Sequence, residues 1–283
     1  MASLNLEIND IQDFFNNKLY NDVNNIVDLK EYNFIDPFFW TVLMSYNLRL
    51  KKSNKQLEVI VDSKSDAFGY FNYIKGEHLS FTTVPMREIQ LGTEIEKFTN
   101  ELINVSNLEF QDYEDKGAFK YLISELINNA IDHGRSSAVA CAQRFPNLDE
   151  FEIIVSDNGI GFYESLKYSY RLNNVEEALK LSIKKEITGS KKYSYSNAYK
   201  NAGMGLYIIS EVIKCINGRM FIISEDTIYA IHSDEIFKIY NPWKGSIVAL
   251  RFGINDFQNK ILDFGWHMYL YNLFSEYGKE DIF

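Results

Sequence analysis

Cysteine is scarce in this chain: Cys141 and Cys215 are the only two among 283 residues, and neither belongs to a paired motif. A disulfide-stapled scaffold is thereby excluded, and no zinc site is indicated. Long apolar runs are also missing. The stretch Pro37-Phe-Phe-Trp-Thr-Val-Leu-Met44 is one of the longest, far short of the roughly 20 residues needed to span a bilayer. The opening Met1-Ala-Ser-Leu-Asn-Leu-Glu-Ile-Asn-Asp10 lacks the basic start and apolar core of a secretion signal, so a cytoplasmic location without membrane contact is expected. There is no internal repeat and no low-complexity tract. Positive charge is outweighed, giving a net charge of −10, which argues against broad binding to nucleic-acid phosphates. What the chain does have is 46% hydrophobic residues, enough for a substantial core and best suited to two domains.

Three short patterns follow one another in order. In Glu125-Leu-Ile-Asn-Asn129-Ala-Ile-Asp132-His133-Gly134, the residues Leu122, Ile123, Leu126, Ile127 and Ala130 recur at the spacing of one buried helical face. Glu125, Asn129, Asp132 and His133 share another face, which places a carboxylate and an amide one turn apart. Next, the strand-like Phe151-Glu-Ile-Ile-Val155 runs into Asp157-Asn-Gly159-Ile-Gly161. A carboxylate at a strand end only accepts hydrogen bonds, which suits the exocyclic amine of adenine, and glycines let backbone approach a ligand. Last, Asn201-Ala-Gly203-Met-Gly205-Leu206 opens an apolar helix that is expected to end near Asn217-Gly218. Glycines at a helix start expose backbone N–H groups suited to phosphate oxygens. Each pattern alone has an ordinary reading, as a solvated helix face, an Asp-Asn-Gly turn or a tight loop. In this order they read as an ATP site.

On these residues the chain resembles the GHKL superfamily of ATP-binding domains over roughly residues 87–254. That superfamily includes gyrase-type and MutL-type ATPases, large heat-shock chaperones, sensor histidine kinases and anti-sigma-factor kinases. The resemblance implies a Bergerat-type α/β sandwich with a mixed sheet, and ATP with Mg²⁺ as cofactors. It implies Glu125 as general base, Asn129 as the Mg²⁺ ligand and Asp157 on the adenine amine. Gly159, Gly161, Gly203 and Gly205 would shape the pocket, Asp132 would make further polar contacts near the nucleotide, and Ser246 of Gly245-Ser246 would help seat the adenine. Gly245-Ser246 is expected to open the strand Ile247–Phe252, and Ser stands where the superfamily commonly has Thr. The segment Phe162 to Ala202 corresponds to a mobile ATP lid, with a short helix from Val175 and a polar, Ser/Tyr-rich stretch from Thr188 to Asn201. It is locally basic: Lys180, Lys184, Lys185, Lys191, Lys192 and Lys200 outnumber Glu176, Glu177 and Glu186. Those lysines would meet phosphate or form a solvated face.

Residues 1–86 lie before this signature and read as strand, helix, strand, with Asp36-Pro37 starting the helix and Leu57–Val61 as the second strand. This small α/β unit resembles STAS domains. Pro37, Phe38 and Phe39 stand where regulatory STAS domains carry a phosphorylatable Ser or Thr after the Asp, so recognition or assembly is the implied role; the alternative is an α/β cap on the ATPase. From 255 to 283 the chain is rich in apolar and aromatic residues, including Phe257, Ile261, Leu262, Phe264, Trp266, Met268, Tyr269, Tyr271, Leu273 and Phe274. A helix packed on its own domain, or a surface for a partner or a second copy of the chain, would account for them. Only about thirty residues follow Phe252, which does not fit a gyrase or chaperone engine, and His78 lacks the helical pattern of a phosphoacceptor. The closest layout is that of anti-sigma-factor kinases. The expected function is a Mg·ATP-binding regulator that hydrolyses ATP or transfers its γ-phosphoryl to Ser/Thr of a partner protein; the alternative is a nucleotide-gated binding switch without turnover.

Overall fold

The computed structural model describes residues 2–19, 25–76, 80–90, 92–134, 136–187, 204–263 and 265, with the side chains of Tyr73, Asp132 and His133 outside that description. The N-terminal part contains β1 (Ala2–Leu4), α1 (Ile8–Asp13) running into a π-helical turn (Phe14–Lys18), β2 (Ile26–Asp28), β3 (Tyr32–Ile35), α2 (Pro37–Lys51), β4 (Glu58–Ile60) and α3 (Asp66–Ile74). Strand, helix and strand follow one another around α2 as the sequence suggests. Pro37 takes the first helical position after an extended Asp36, where its missing N–H costs nothing. The strands pair in parallel as two short ladders, β1 with β3 and β2 with β4.

The remainder contains β5 (Thr83–Ile89), α4 (Gly92–Ser106), α5 (Tyr113–Asn128) extended by a π-helical turn (Asn129–His133), β6 (Ala138–Phe145) and β7 (Glu150–Asp157). Then come α6 (Gly161–Tyr170), α7 (Val175–Ser182), α8 (Gly205–Cys215), β8 (Arg219–Ala230), β9 (Glu235–Gly253) and α9 (Ile254–Phe257). Helix starts are locally encoded: Asp112 accepts from the Asp115 N–H at 2.8 Å ahead of α5, and Asn174 from the Glu177 N–H at 2.9 Å ahead of α7. Five strands form one sheet in the order β5-β6-β7-β9-β8. The α/β sandwich is as expected, but the mixed sheet is corrected in detail. Every pairing in the large sheet is antiparallel, since β6–β7 and β8–β9 are hairpins and β5 and β9 run against their neighbours. Among the described residues, parallel pairing is confined to the short ladders.

Both faces of this sheet are covered, which explains why its strands read as nearly continuous apolar runs. Phe151, Ile153, Val155, Met220, Ile222, Val248 and Leu250 face the core shared with α4, α5 and α8. The alternate residues Ile154, Phe221, Ile223, Ile247 and Ala249 join Phe14, Phe15, Phe38, Phe39 and Trp40 of the N-terminal part in a second core. Glu152 breaks the apolar pattern on that far face and is paired across the ladder with Arg251. The Arg251 guanidinium reaches Asp36 at 2.7 Å, Glu150 at 2.8 Å and Glu152 at 3.5 Å. Asp36 also accepts the Leu6 N–H at 2.7 Å, and Glu152 accepts the Phe38 N–H at 3.1 Å. Burial, reinforced by the neighbouring Asp36, pushes the Glu152 carboxyl well above its ordinary range.

Two expectations change here. The short helix expected from Val175 is present as α7, but the segment from Phe162 begins as packed structure: Leu166 of α6 buries on the domain, as do Val175, Ala178, Leu179 and Ile183 along and just after α7. Residues 188–203, with Gly203, Lys191, Lys192 and Lys200, lie outside the described residues. Gly245-Ser246 does not open a strand but sits inside β9, which already begins at Glu235. Register shifts opposite Ser224 to Thr227 place the pair at an irregularity in the β8–β9 ladder. At the C-terminal end Phe257 packs on Phe119 and Phe252, with ring centroids 5.5 and 5.2 Å apart, so this segment starts against its own domain. The aromatic residues from Phe264 to Phe274 lie outside the described residues. Among the described residues, no helix is long and apolar enough to cross a membrane.

Candidate functional site

The end of α5, the start of α6, the start of α8 and the middle of β9 surround one open cleft, about 810 Å³ of empty space with its mouth and the adjoining open solvent included. Glu125 and Asn129 line it one turn apart, beside Gly134, Gly161, Gly205 and Ser246. Its apolar wall comes from Leu126, Ala130, Val155, Phe162, Leu166, Leu206 and Val248. Six of the sequence-predicted residues therefore meet in one place: Glu125, Asn129, Gly161, Gly205 and Ser246 in the lining, and Asp157 through its bonds to Ser246.

Asp157 ends β7 and is 1% exposed. Its carboxylate accepts the Gly159 N–H at 2.7 Å, the Ser246 N–H at 3.2 Å and the Ser246 hydroxyl in a short bond. About one of the four acceptor positions of the carboxylate is left. Burial raises the Asp157 pKa to about 6, opposed by these donors from Ser246 and Gly159. Gly159 does not line the cleft itself. Its backbone presses on the end of α5: a Cβ at Gly159 would lie 1.8 Å from the Gly134 carbonyl oxygen, which accepts the Ile160 N–H at 3.2 Å. No side chain fits there, so the glycine locks the Asp157 turn against α5.

Glu125 is 7% exposed and projects from α5 toward the first residue of α8. A Cβ on Gly205 would meet the Glu125 Cβ at 2.7 Å and its Oε2 at 3.1 Å. The glycine thus lets a helix N-terminus, the positive end of the helix dipole, approach the carboxylate side of the cleft. Tyr121, one turn before Glu125, bonds to it, and its phenol is pushed up to about 12 by burial and then by the Glu125 charge. The π-helical turn begins at Asn129, and such turns are frequent at functional positions. The side chain of Asp132 and the whole of Gly203 lie outside the described residues.

Several site residues were not singled out from the sequence. Phe162, Ser165 and Ser182 line the cleft from the segment read as lid. Ser224 accepts the Phe162 N–H at 3.3 Å and donates to the Gly245 carbonyl at 2.8 Å, tying α6 to β9. Tyr121 has a sequence signal, its spacing of four from Glu125 on one helix. Ser224 has none.

Comparison with known proteins agrees with this geometry. Residues 114–244 match the family model for histidine kinase-, DNA gyrase B-, and HSP90-like ATPases. A domain of this family, whose members bind ATP and generally Mg²⁺, is therefore present from the first turn of α5 to just before Gly245. The match is to the family as a whole and does not single out the anti-sigma-factor-kinase layout, and the N-terminal part lies outside it. No curated protein matches the chain.

Proposed function

We propose that this protein binds Mg·ATP in the cleft and either hydrolyses it or transfers its γ-phosphoryl group to a Ser or Thr hydroxyl of a partner protein, with Glu125 as general base. The observation that carries this reading is a buried carboxylate, Glu125, sharing one cleft with Asn129 and with the glycine-opened N-terminus of α8. Adenine would sit beside Asp157 and Ser246, its exocyclic amine donating to the carboxylate. The triphosphate would run toward α8, whose first-turn N–H groups would stabilise the developing charge on the γ-phosphoryl oxygens. Glu125 would accept the proton of the attacking water or hydroxyl as the bond to the γ-phosphorus forms and the bond to the ADP oxygen breaks.

The donor set fits magnesium that arrives with the nucleotide. Asn129 offers a neutral oxygen beside the Glu125 carboxylate, and among the described residues no group of three or more His, Cys, Asp or Glu would hold a metal alone. Such a site suits Mg²⁺, which commonly takes one or two protein oxygens plus phosphates. Once bound, the ion neutralises phosphate charge. Asn129 would hold it.

The test is to incubate the protein with γ-labelled Mg·ATP beside Glu125→Ala and Asp157→Ala. The expected outcome is label in free phosphate or in an added partner for the wild type, binding without turnover for Glu125→Ala, and loss of binding for Asp157→Ala. Undiminished affinity in Asp157→Ala would sink the adenine assignment. Binding without turnover in the wild type would overturn catalysis in favour of a nucleotide-gated switch.

A further inference from the structure

The end of β7 is held from the side of the sheet opposite the cleft. Ser45 of α2 is fully buried there; its hydroxyl oxygen accepts the Ser156 hydroxyl at 3.1 Å and the Asn158 side-chain amide at 3.0 Å. The same amide donates to the Ser45 carbonyl at 2.7 Å. Between these two residues, the backbone carbonyl of Asp157 accepts the indole N–H of Trp243 at 3.1 Å. Trp243 is 1% exposed, with the ring of Phe15 edge-on at 6.1 Å and the Arg49 guanidinium 5.1 Å from its own ring centre. Three consecutive residues, 156 to 158, are thus anchored to α2 and to a tryptophan that α1's extension and α2 enclose. Neither Ser45 nor Trp243 lines the cleft.

The location gives these bonds a specific job. On the β9 side the ladder of β7 ends at Ser156 opposite Ile247, so the carbonyl of Asp157 has lost its strand partner and Trp243 replaces it. The Asp157 carboxylate can aim at a ligand only if this backbone stays put.

Resting on the nucleotide reading above, the geometry points to Ser45 and Trp243 as positioning residues for adenine recognition, coupling the N-terminal part to the nucleotide site. They hold the strand end so that Asp157 presents its remaining acceptor to the exocyclic amine. By linkage, whatever displaces α2 changes ATP affinity, and bound ATP restrains α2 by the same factor.

The experiment compares full-length wild type, Ser45→Ala and Trp243→Phe, with Asp157→Ala as reference, for calorimetric binding of Mg·ATP and Mg·inosine triphosphate. Inosine triphosphate keeps the phosphates and replaces the amine by a carbonyl. The wild type should prefer ATP, and each positioning variant should narrow that preference by a few-fold to about tenfold, the range expected for losing one neutral hydrogen bond. Restoring the bond should restore the preference: Ser45→Thr, which keeps the hydroxyl, should discriminate better than Ser45→Ala. Lowered melting temperature with both nucleotides weakened equally would mean a merely structural role and overturn the proposal. If Trp243→Phe fails to fold, the Ser45 pair decides it alone. A wild type that does not discriminate, or an Asp157→Ala variant that discriminates as well as the wild type, would overturn the adenine assignment and this inference together. Discrimination that depends on Asp157 but not on Ser45 or Trp243 would overturn this inference only.

Discussion

Acidification should weaken ATP binding through Asp157 in a narrow and calculable window. In the proposed pose the adenine amine donates to Asp157 and so requires the ionised carboxylate, whereas burial raises the pKa of Asp157 from 3.8 to about 6 in the unliganded protein. With that pKa the carboxylate is roughly nine-tenths ionised at pH 7 and one-tenth ionised at pH 5, a loss of about tenfold in affinity or about 1.4 kcal/mol. The sign on stability is opposite. A carboxyl whose folded pKa lies above its unfolded value favours folding fully below about pH 4, and that contribution fades as pH rises to about 6; a shift of about two units corresponds to about 3 kcal/mol less stability for the empty protein at pH 7. Nucleotide binding offsets part of that deficit, so ATP should raise the melting temperature more at pH 7 than at pH 5. The assay is calorimetric titration with Mg·ATP at pH 5, 6, 7 and 8 for wild type and Asp157→Asn. The variant binds more weakly overall, because an amide N–H₂ would face the Ser246 N–H, but its residual slope isolates the titration of the triphosphate itself. A wild-type slope equal to that of the variant, or affinity that rises toward pH 5, would refute the reasoning.

Gly205→Ala should strike catalysis harder than binding, because its new Cβ collides with the Glu125 side chain at 2.7 Å; displacing the proposed base by about 1 Å should lower turnover on the order of 100-fold, and phosphate release measured beside ATP affinity reads the difference. Glu152→Gln should leave the protein at least as stable as wild type at pH 7. Its amide oxygen still accepts the Phe38 N–H, and Arg251 keeps Asp36 and Glu150. Because burial raises the Glu152 pKa above 4.5, ionising it above that value disfavours the folded wild type, so the advantage of the variant should grow with pH and vanish near pH 4; chemical denaturation across that range checks the sign.

The cleft was legible in sequence because its residues cluster at three local patterns. Glu125 and Asn129 are one helical turn apart, and Asp157 ends an apolar strand whose burial is written in Phe151, Ile153 and Val155. Ser246 was readable only through the family resemblance, and its setting was misjudged, since a kinked continuous β9 looks like two strands when Pro242 and Gly245 interrupt the pattern. Ser45 and Trp243 carried no signal. Their partners lie 86 to 113 positions away, and a buried Ser or Trp in an amphipathic stretch looks like ordinary core. At the start of the lid the expected helix from Val175 is found as α7, where Val175, Ala178 and Leu179 recur at helical spacing, whereas α6, which buries only Leu166 among its large apolar side chains, is not legible as a helix in the sequence.

The doubly covered sheet has a consequence for modularity. The family match begins at residue 114, but that boundary is not one at which the chain can be cut. A fragment without the N-terminal part would turn Phe221, Ile223, Ile228, Ile239, Trp243 and Ile247, each 2% exposed or less, toward water as one apolar surface of the kind that drives aggregation. It would also strand Arg251 without Asp36. The two halves thus share one core at the back of the sheet, and any recombination that moves this cleft into another chain must bring along a replacement lining for that face.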